Sequence, residues 1–305
     1  MSQQMKILIA YDGSSCAEAA LDDLRRAGLP PAAQAVVISV AERRLMPPSG
    51  EGMVETRFTE AYTGATEEAE ALAGRACARI QTSFPDWAIS AEVASGSPAR
   101  VMIERADEWK SDLIVVGSHG RSALGRFVLG SVSQKVVTEA HCSVRVARCR
   151  PDGTGETGES RTSARLVVGV DGSPGAAAAV RAVAARAWPA GSEARVIAAD
   201  FAVPPVTAGR SLEPILAWAK GERARSHKMA EAAVRELREA GLAVSSIVKD
   251  EDPKRLLCEE AESWGADCIF VGAKGLSRID RFLLGSVSAA VAARAHCSVE
   301  VVRQG

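Results

Sequence analysis

The chain has 305 residues, a formal net charge of −1, 47% hydrophobic and 25% charged residues, and seven cysteines. Near-neutral charge with no basic half argues against electrostatic capture of nucleic acid, and no apolar run approaches the roughly 18 residues of a membrane-spanning helix. The length corresponds to about two ordinary domains, each large enough to bury its own core.

The N-terminal MSQQMKILIAYDGSS passes directly into a strand-like run with no leader pattern, so a cytoplasmic protein with no membrane or nucleic-acid partner is expected. Short apolar runs bounded by turn residues predict strands over 5–11, 35–41, 88–94, 112–117 and 142–148. Such runs fit strands covered on both faces. Helical patterns fall between them at about 15–27, 60–83, 98–109 and 130–140. Residues 150–163, RPDGTGETGESRTS, are rich in Gly, Ser, Thr and Glu without apolar period and read as a flexible linker.

Beyond the linker the alternation starts again. Strands are predicted near 165–170, 194–199, 243–248, 267–272 and 297–303, and helices near 174–187, 212–240, 253–264 and 285–295. Ser173-Pro174 is a good helix start, with serine as N-cap and proline in the first turn. The division is therefore residues 1–149, a linker 150–163, and residues 164–305. Alternating strands and helices imply two tandem α/β domains, each a doubly wound, open five-stranded parallel sheet with helices on both faces. Ligands of such sheets bind beyond the strand C-termini.

The two halves are copies. SDLIVVGSHGRSALGRFVLGSVSQKVVTEAHCSVRV matches ADCIFVGAKGLSRIDRFLLGSVSAAVAARAHCSVEV, and KILIAYDGSS matches RLVVGVDGSP. Within the longer match, Gly117-x2-Gly120-x9-Gly130-Ser131 recurs 155 positions later as Gly272-x2-Gly275-x9-Gly285-Ser286. Self-similarity on this scale is more specific than any single motif.

Three pieces of each half should meet at the strand tips. The first is Asp12-Gly13-Ser14, matched by Asp171-Gly172-Ser173. An acid there can accept hydrogen bonds from a ribose hydroxyl or a base amino group, or it can serve only as a turn residue. The second is the glycine loop. Bare backbone N–H groups at Gly117, Gly120 and Gly130, and at Gly272, Gly275 and Gly285, can face phosphate oxygens beside a helix N-terminus. Ser131 and Ser133, and Ser286 and Ser288, add hydroxyl donors; the alternative is tight turns and a serine cap. His119 lies inside this loop and Lys274 takes its place in the second copy; each faces either a phosphate or solvent. The third piece is Val40-Ala41 and Ala199-Asp200 at the end of the second strand, where main-chain groups can read an adenine.

Other chemistry is not signalled. There is no GxxxxGK[ST] phosphate loop, no GxGxxG after a strand, no GxSxG elbow and no HExxH. His141 and His296 read as helix-to-strand corner residues. An odd number of cysteines with no CxxC pair argues against a metal site or a disulfide framework. Cys142 and Cys297, in the repeated HCSV, read as small apolar residues entering a strand, with redox sensing as the alternative.

The glycine spacing, the strand-1 aspartate and the HCSV strand together resemble the universal stress protein family, in its ATP-binding branch and in tandem two-domain form. The resemblance covers nearly the whole chain. It implies the sheet order 3-2-1-4-5 and an ATP, with Mg2+ on its phosphates, at each set of strand tips. Carried over position by position, it assigns Asp12 and Val40 to adenosine, and Gly117, Gly120, Gly130, Ser131 and Val132 to ribose and phosphates. The matching set is Asp171, Ala199, Gly272, Gly275, Gly285, Ser286 and Val287, with Ala199 smaller than the usual aliphatic and Lys274 where histidine or arginine is frequent. It also implies pairing of terminal strands, here Cys142–Arg148 with Cys297–Arg303 inside one chain as a pseudo-dimer, with a further homodimer left open. The expected function is a nucleotide-dependent stress-response sensor or regulator with an unidentified protein partner. A slow ATPase or phosphotransferase is the alternative, weakened by the lack of a general base beside the phosphates.

Overall fold

The computed structural model describes residues 4–41, 54–120, 129–148, 163–200, 213–275 and 284–304, of which 54–62, 213–215 and 218 are described by backbone alone. The expected linker, except Ser163, and the stretches 42–53 and 201–212 lie outside the described residues. The chain divides into two units, one made of Met1–Arg25 and Pro30–Cys149, the other of Arg26–Leu29 and Arg150–Gln304.

In the first unit the strands are β1 (Met5–Ala10), β2 (Ala33–Ala41), β3 (Ala88–Ser95), β4 (Leu113–Gly117) and β5 (Ser143–Ala147). The helices are α1 (Ser15–Asp23), α2 (Val54–Ser83), α3 (Pro98–Trp109) and α4 (Ser131–Glu139). All pairings are parallel: β3 with β2, β2 with β1, β1 with β4 and β4 with β5, which is the order 3-2-1-4-5. Helical connections between parallel neighbours bury both sheet faces. Ile7, Leu8, Ile9, Leu113, Ile114 and Val115 are accordingly fully buried.

The second unit repeats the plan with β6 (Arg165–Val170), α5 (Pro174–Ala184), β7 (Glu193–Asp200), α6 (Glu213–Glu239), β8 (Ala243–Asp250), α7 (Pro253–Trp264), β9 (Cys268–Gly272), α8 (Ser286–Arg294) and β10 (Ser298–Val302). Its parallel order is β8-β7-β6-β9-β10. One core layer joins Leu166, Val168, Val196 and Phe270 to Ala230 and Leu237 of α6. Trp188 meets Phe270 edge-on, with centroids 6.0 Å apart.

The expected strand and helix boundaries hold to a residue or two, with three exceptions. Helix α1 tightens into a 3-10 turn at Leu24–Arg26, ahead of Gly28 at φ +61° and Pro30-Pro31. Helix α5 stops at Ala184 rather than 187, and Trp188 Nε1 donates to the Val183 carbonyl at 2.8 Å. Helix α2 begins at Val54, six residues before the expected start.

The same clip closes both units at the sheet's lower end. Asp112 Oδ2 accepts from Lys6 N at 2.7 Å, and Asp267 Oδ2 accepts from Arg165 N at 2.8 Å. Each aspartate precedes the fourth strand and satisfies the first N–H of the adjacent edge of β1 or β6, fixing the register that sets the heights of the strand tips.

Candidate functional site

The first strand of each unit ends in a turn that the next helix needs. Gly13 and Gly172 have φ of +74° and +77°, a conformation that glycine adopts without steric cost. Asp12 Oδ1 accepts from Ser14 N at 3.0 Å and Asp171 Oδ1 from Ser173 N at 2.9 Å. Ser14 then caps α1 by accepting from Ala17 N at 3.2 Å, as Ser173 caps α5 by accepting from Ala176 N at 3.1 Å. The aspartate is thus a turn residue through Oδ1. Its Oδ2 faces the glycine loop, since a Cβ on Gly120 would lie 2.9 Å from Asp12 Oδ2 and one on Gly275 would lie 2.7 Å from Asp171 Oδ2.

Each glycine of the repeated spacing has its own reason. A Cβ on Gly117 would stand 2.7 Å from the Cys16 carbonyl carbon, and one on Gly272 would stand 2.7 Å from Ala176 N, so a bare backbone lets the helix start rest on the strand tip. Gly120 and Gly275 leave space for the aspartate. Gly130 and Gly285 close the loop, donating their N–H to Ser118 O and Ala273 O, both at 2.8 Å. They are also the N-caps of α4 and α8, and neither helix has a side-chain cap bond. The first-turn N–H groups therefore keep donors for a ligand beside the positive end of the helix dipole. Ser131 and Ser286 are exposed at these ends, with Val132 and Val287 half-buried behind them.

Two expected hydroxyl donors are occupied. Ser133 Oγ donates to Gly117 O and Ser288 Oγ to Gly272 O, both at 2.6 Å, and both serines are buried. A hydroxyl has one proton, so these serines tie the helix to the strand end.

The loop position between the glycines differs in chemistry. His119 Nδ1 lies 3.2 Å from Ser118 Oγ, and its buried Nε2 has no hydrogen-bond partner. Burial first, and the charge of Arg148 second, push its pKa below the ordinary 6.5, so the ring is neutral at neutral pH. Lys274, half-buried, holds the same place in the second unit, and its carbonyl accepts from Ser173 Oγ at 3.2 Å. In the first unit Ser118 Oγ donates to Cys16 Sγ at 3.6 Å, whereas the second has Ala273 and Gly175 in those places. A Cβ on Gly175 would collide with the Lys274 carbonyl, so the second helix start sits closer to its loop.

These pieces surround one cavity in the second unit. Its volume is about 440 Å3, and its walls include Asp171, Ala199, Gly272, Gly275, Gly285 and Ser286. That size suits a small-molecule ligand. Asp200, named with Ala199 at the end of β7, also lines it, and residues not expected from sequence complete it: Glu222, Arg225, Ser226 and Met229 of α6, and Leu257 of α7. In the first unit Val40 is half-buried at the tip of β2, level with Ala94, as Ala199 is level with Lys249.

The histidines of the repeated HCSV lie apart from this site, in the corners before β5 and β10. His141 Nδ1 is 2.9 Å from Asp107 Oδ2, and His296 Nε2 is 3.4 Å from Glu262 Oε2. Among the described residues no three His, Cys, Asp or Glu side chains gather to hold a metal ion, and no helix is long and apolar enough to cross a membrane.

Comparison with known proteins agrees with the fold and the repeat. The family model for the universal stress protein family matches twice, over residues 5–148 and 163–303. A universal stress protein of Thermus aquaticus is 35% identical over 142 residues, 47% of this chain and 97% of its own. One from Mycobacterium tuberculosis is 30% identical over 233 residues, 71% of this chain and 69% of its own. The solved structure of a universal stress protein from Archaeoglobus fulgidus superposes with a TM-score of 0.64 at 18% identity, covering 98% of this chain and 96% of that one. The duplicated glycine spacing, the sheet order in each unit and the double family match lead to one assignment: the chain belongs to the universal stress protein family, in tandem form.

Proposed function

We propose that this protein binds two molecules of ATP, one at the strand tips of each unit, and acts as a nucleotide-dependent regulator in a stress response. The observation that carries the reading is the cavity of about 440 Å3 in the second unit, where an acid, an aliphatic strand tip and an uncapped helix N-terminus converge. Asp171 then takes ribose hydroxyls, the main chain at Ala199 faces the adenine, and the N–H groups at Gly285 and Ser286 take phosphate oxygens. The first unit offers the same set through Asp12, Val40, Gly117, Gly120, Gly130 and Ser131. Mg2+, where present, would travel on the phosphates. Pairing of the terminal strands within the chain, further dimerisation, a protein partner and a cytoplasmic location belong to the same reading, which rests for them on the family resemblance.

The test starts with ligand released from the purified protein and identified by mass spectrometry, followed by ATP titration calorimetry. Adenine nucleotide and about two sites per chain are expected. Gly120→Val and Gly275→Val each add a side chain against an aspartate carboxylate, and each should remove about half of the bound ATP. Absence of released adenine nucleotide together with absence of ATP binding would sink the reading. Steady ATP turnover that is lost in the double variant would move it to a slow ATPase.

A further inference from the structure

The second site carries a feature that the first lacks. Asp200 ends β7 next to Ala199, and its side chain is 8% exposed. The matching last residue of β2 in the first unit is Ala41. Burying a carboxylate is costly unless its oxygens are hydrogen-bonded. Among the described residues, the ion-pair neighbour of Asp200 Oδ2 is a distant one, Arg223 Nε at 3.9 Å, on a side chain that is itself 66% exposed. Asp200 Oδ1 is buried and has no hydrogen-bond partner. Its cross-strand neighbour on β8 is Asp250, another acid, which brings no donor. Yet Asp200 lines the same cavity as Asp171 and the glycine loop.

We propose that Asp200 selects the base in the second site by accepting a hydrogen bond at Oδ1 from the exocyclic amino group of an adenine. This rests on the nucleotide reading above. A carboxylate is an acceptor only. One available oxygen matches one amino donor, while a 6-oxo purine would set its carbonyl oxygen against the carboxylate and lose that bond. The strand tip is the place for such a reader, because the glycine loop and helix N-terminus hold the opposite, phosphate end. The first unit has Ala41 at this position, which brings no side-chain acceptor. Its discrimination between amino and oxo purines is therefore weaker.

The experiment uses the full chain carrying Gly120→Val, so that the second site is read alone, titrated with ATP and with inosine triphosphate. ATP is expected to bind roughly tenfold or more tightly, the usual effect of a hydrogen bond to a charged group. Asp200→Asn, whose amide can donate to a 6-oxo group, and Asp200→Ala, which copies the first unit, should each reduce that ratio about tenfold or more. Both variants should fold, since each removes a buried charge without a close partner, and circular dichroism melting no lower than the parent checks this. A ratio unchanged in both folded variants overturns the assignment while leaving ATP binding intact. Failure of the parent to bind either triphosphate overturns it together with the nucleotide reading.

Discussion

At the scale of single residues, the duplication supplies its own controls. Helices α3 and α7 have the same length and both end in a left-handed cap. The first uses Lys110 at φ +57°, the second Gly265 at φ +65°. A side chain in this conformation crowds its own backbone, at a cost of about 1 kcal/mol, whereas glycine adopts it freely. Lys110→Gly is thus expected to stabilise the first unit by about 0.5–1 kcal/mol, and Gly265→Ala to destabilise the second by about 1 kcal/mol. Urea unfolding monitored by circular dichroism measures both; a lower midpoint for Lys110→Gly would contradict the argument. Residues of this kind are only partly legible in a sequence. The glycines of the repeated spacing stand out because the spacing recurs. Asp112 and Asp267 resemble ordinary turn acids, and their clips to Lys6 N and Arg165 N depend on strands more than 100 residues away in sequence.

At the scale of elements, the site is built from helix starts. Ser173 has two duties: its Oγ accepts from Ala176 N and donates to Lys274 O, so it joins the start of α5 to the glycine loop. Ser173→Ala should cost about 1–2 kcal/mol in unfolding free energy, and Ser173→Thr should recover most of it, because threonine keeps both the acceptor and the proton. Denaturation of the three proteins side by side checks this, and an Ala variant as stable as the parent would remove Ser173 from the account. The Ser173 cap is readable because Ser-Pro is a local signal. The α6 wall of the cavity is not. Buried positions 69, 73, 76 and 80 of α2 have the same spacing as 226, 230, 233 and 237 of α6, so Ser226 takes the place of Ala69. A serine on an amphipathic helix, flanked by Arg225 and His227, looks like part of the solvent face until β7 is placed beneath it. The roles of Ser133 and Ser288 are hidden for a related reason: two hydroxyls two residues apart look alike in sequence, and the carbonyl at the strand end separates them.

At the scale of the whole molecule, the two copies differ in chemistry at one position of the glycine loop. The strand order and the two-unit plan were legible because every element agreed with its copy; what the copies changed could be given meaning only once the loops were in place. The main change is His119 against Lys274. In the free protein His119 is neutral near pH 7, since burial and then Arg148 hold its pKa below 6.5. If phosphate oxygens sit beside its orphaned Nε2, they favour the protonated ring and raise that pKa, so binding takes up a proton. The sign follows: affinity of the first site should rise as the pH falls through the range in which the bound form is protonated and the free form is not. The second site has Lys274 in place of this imidazole and so lacks the proton uptake argued for His119, and it should hold its affinity. Titration of the Gly275→Val and Gly120→Val chains with ATP at about pH 7.5 and about pH 6 isolates the two responses. The first site is expected to tighten several-fold on acidification and the second to change little, and His119→Lys should make the first site behave like the second. Equal pH dependence of the two sites, or a first site that weakens in acid, would rule out phosphate contact at His119.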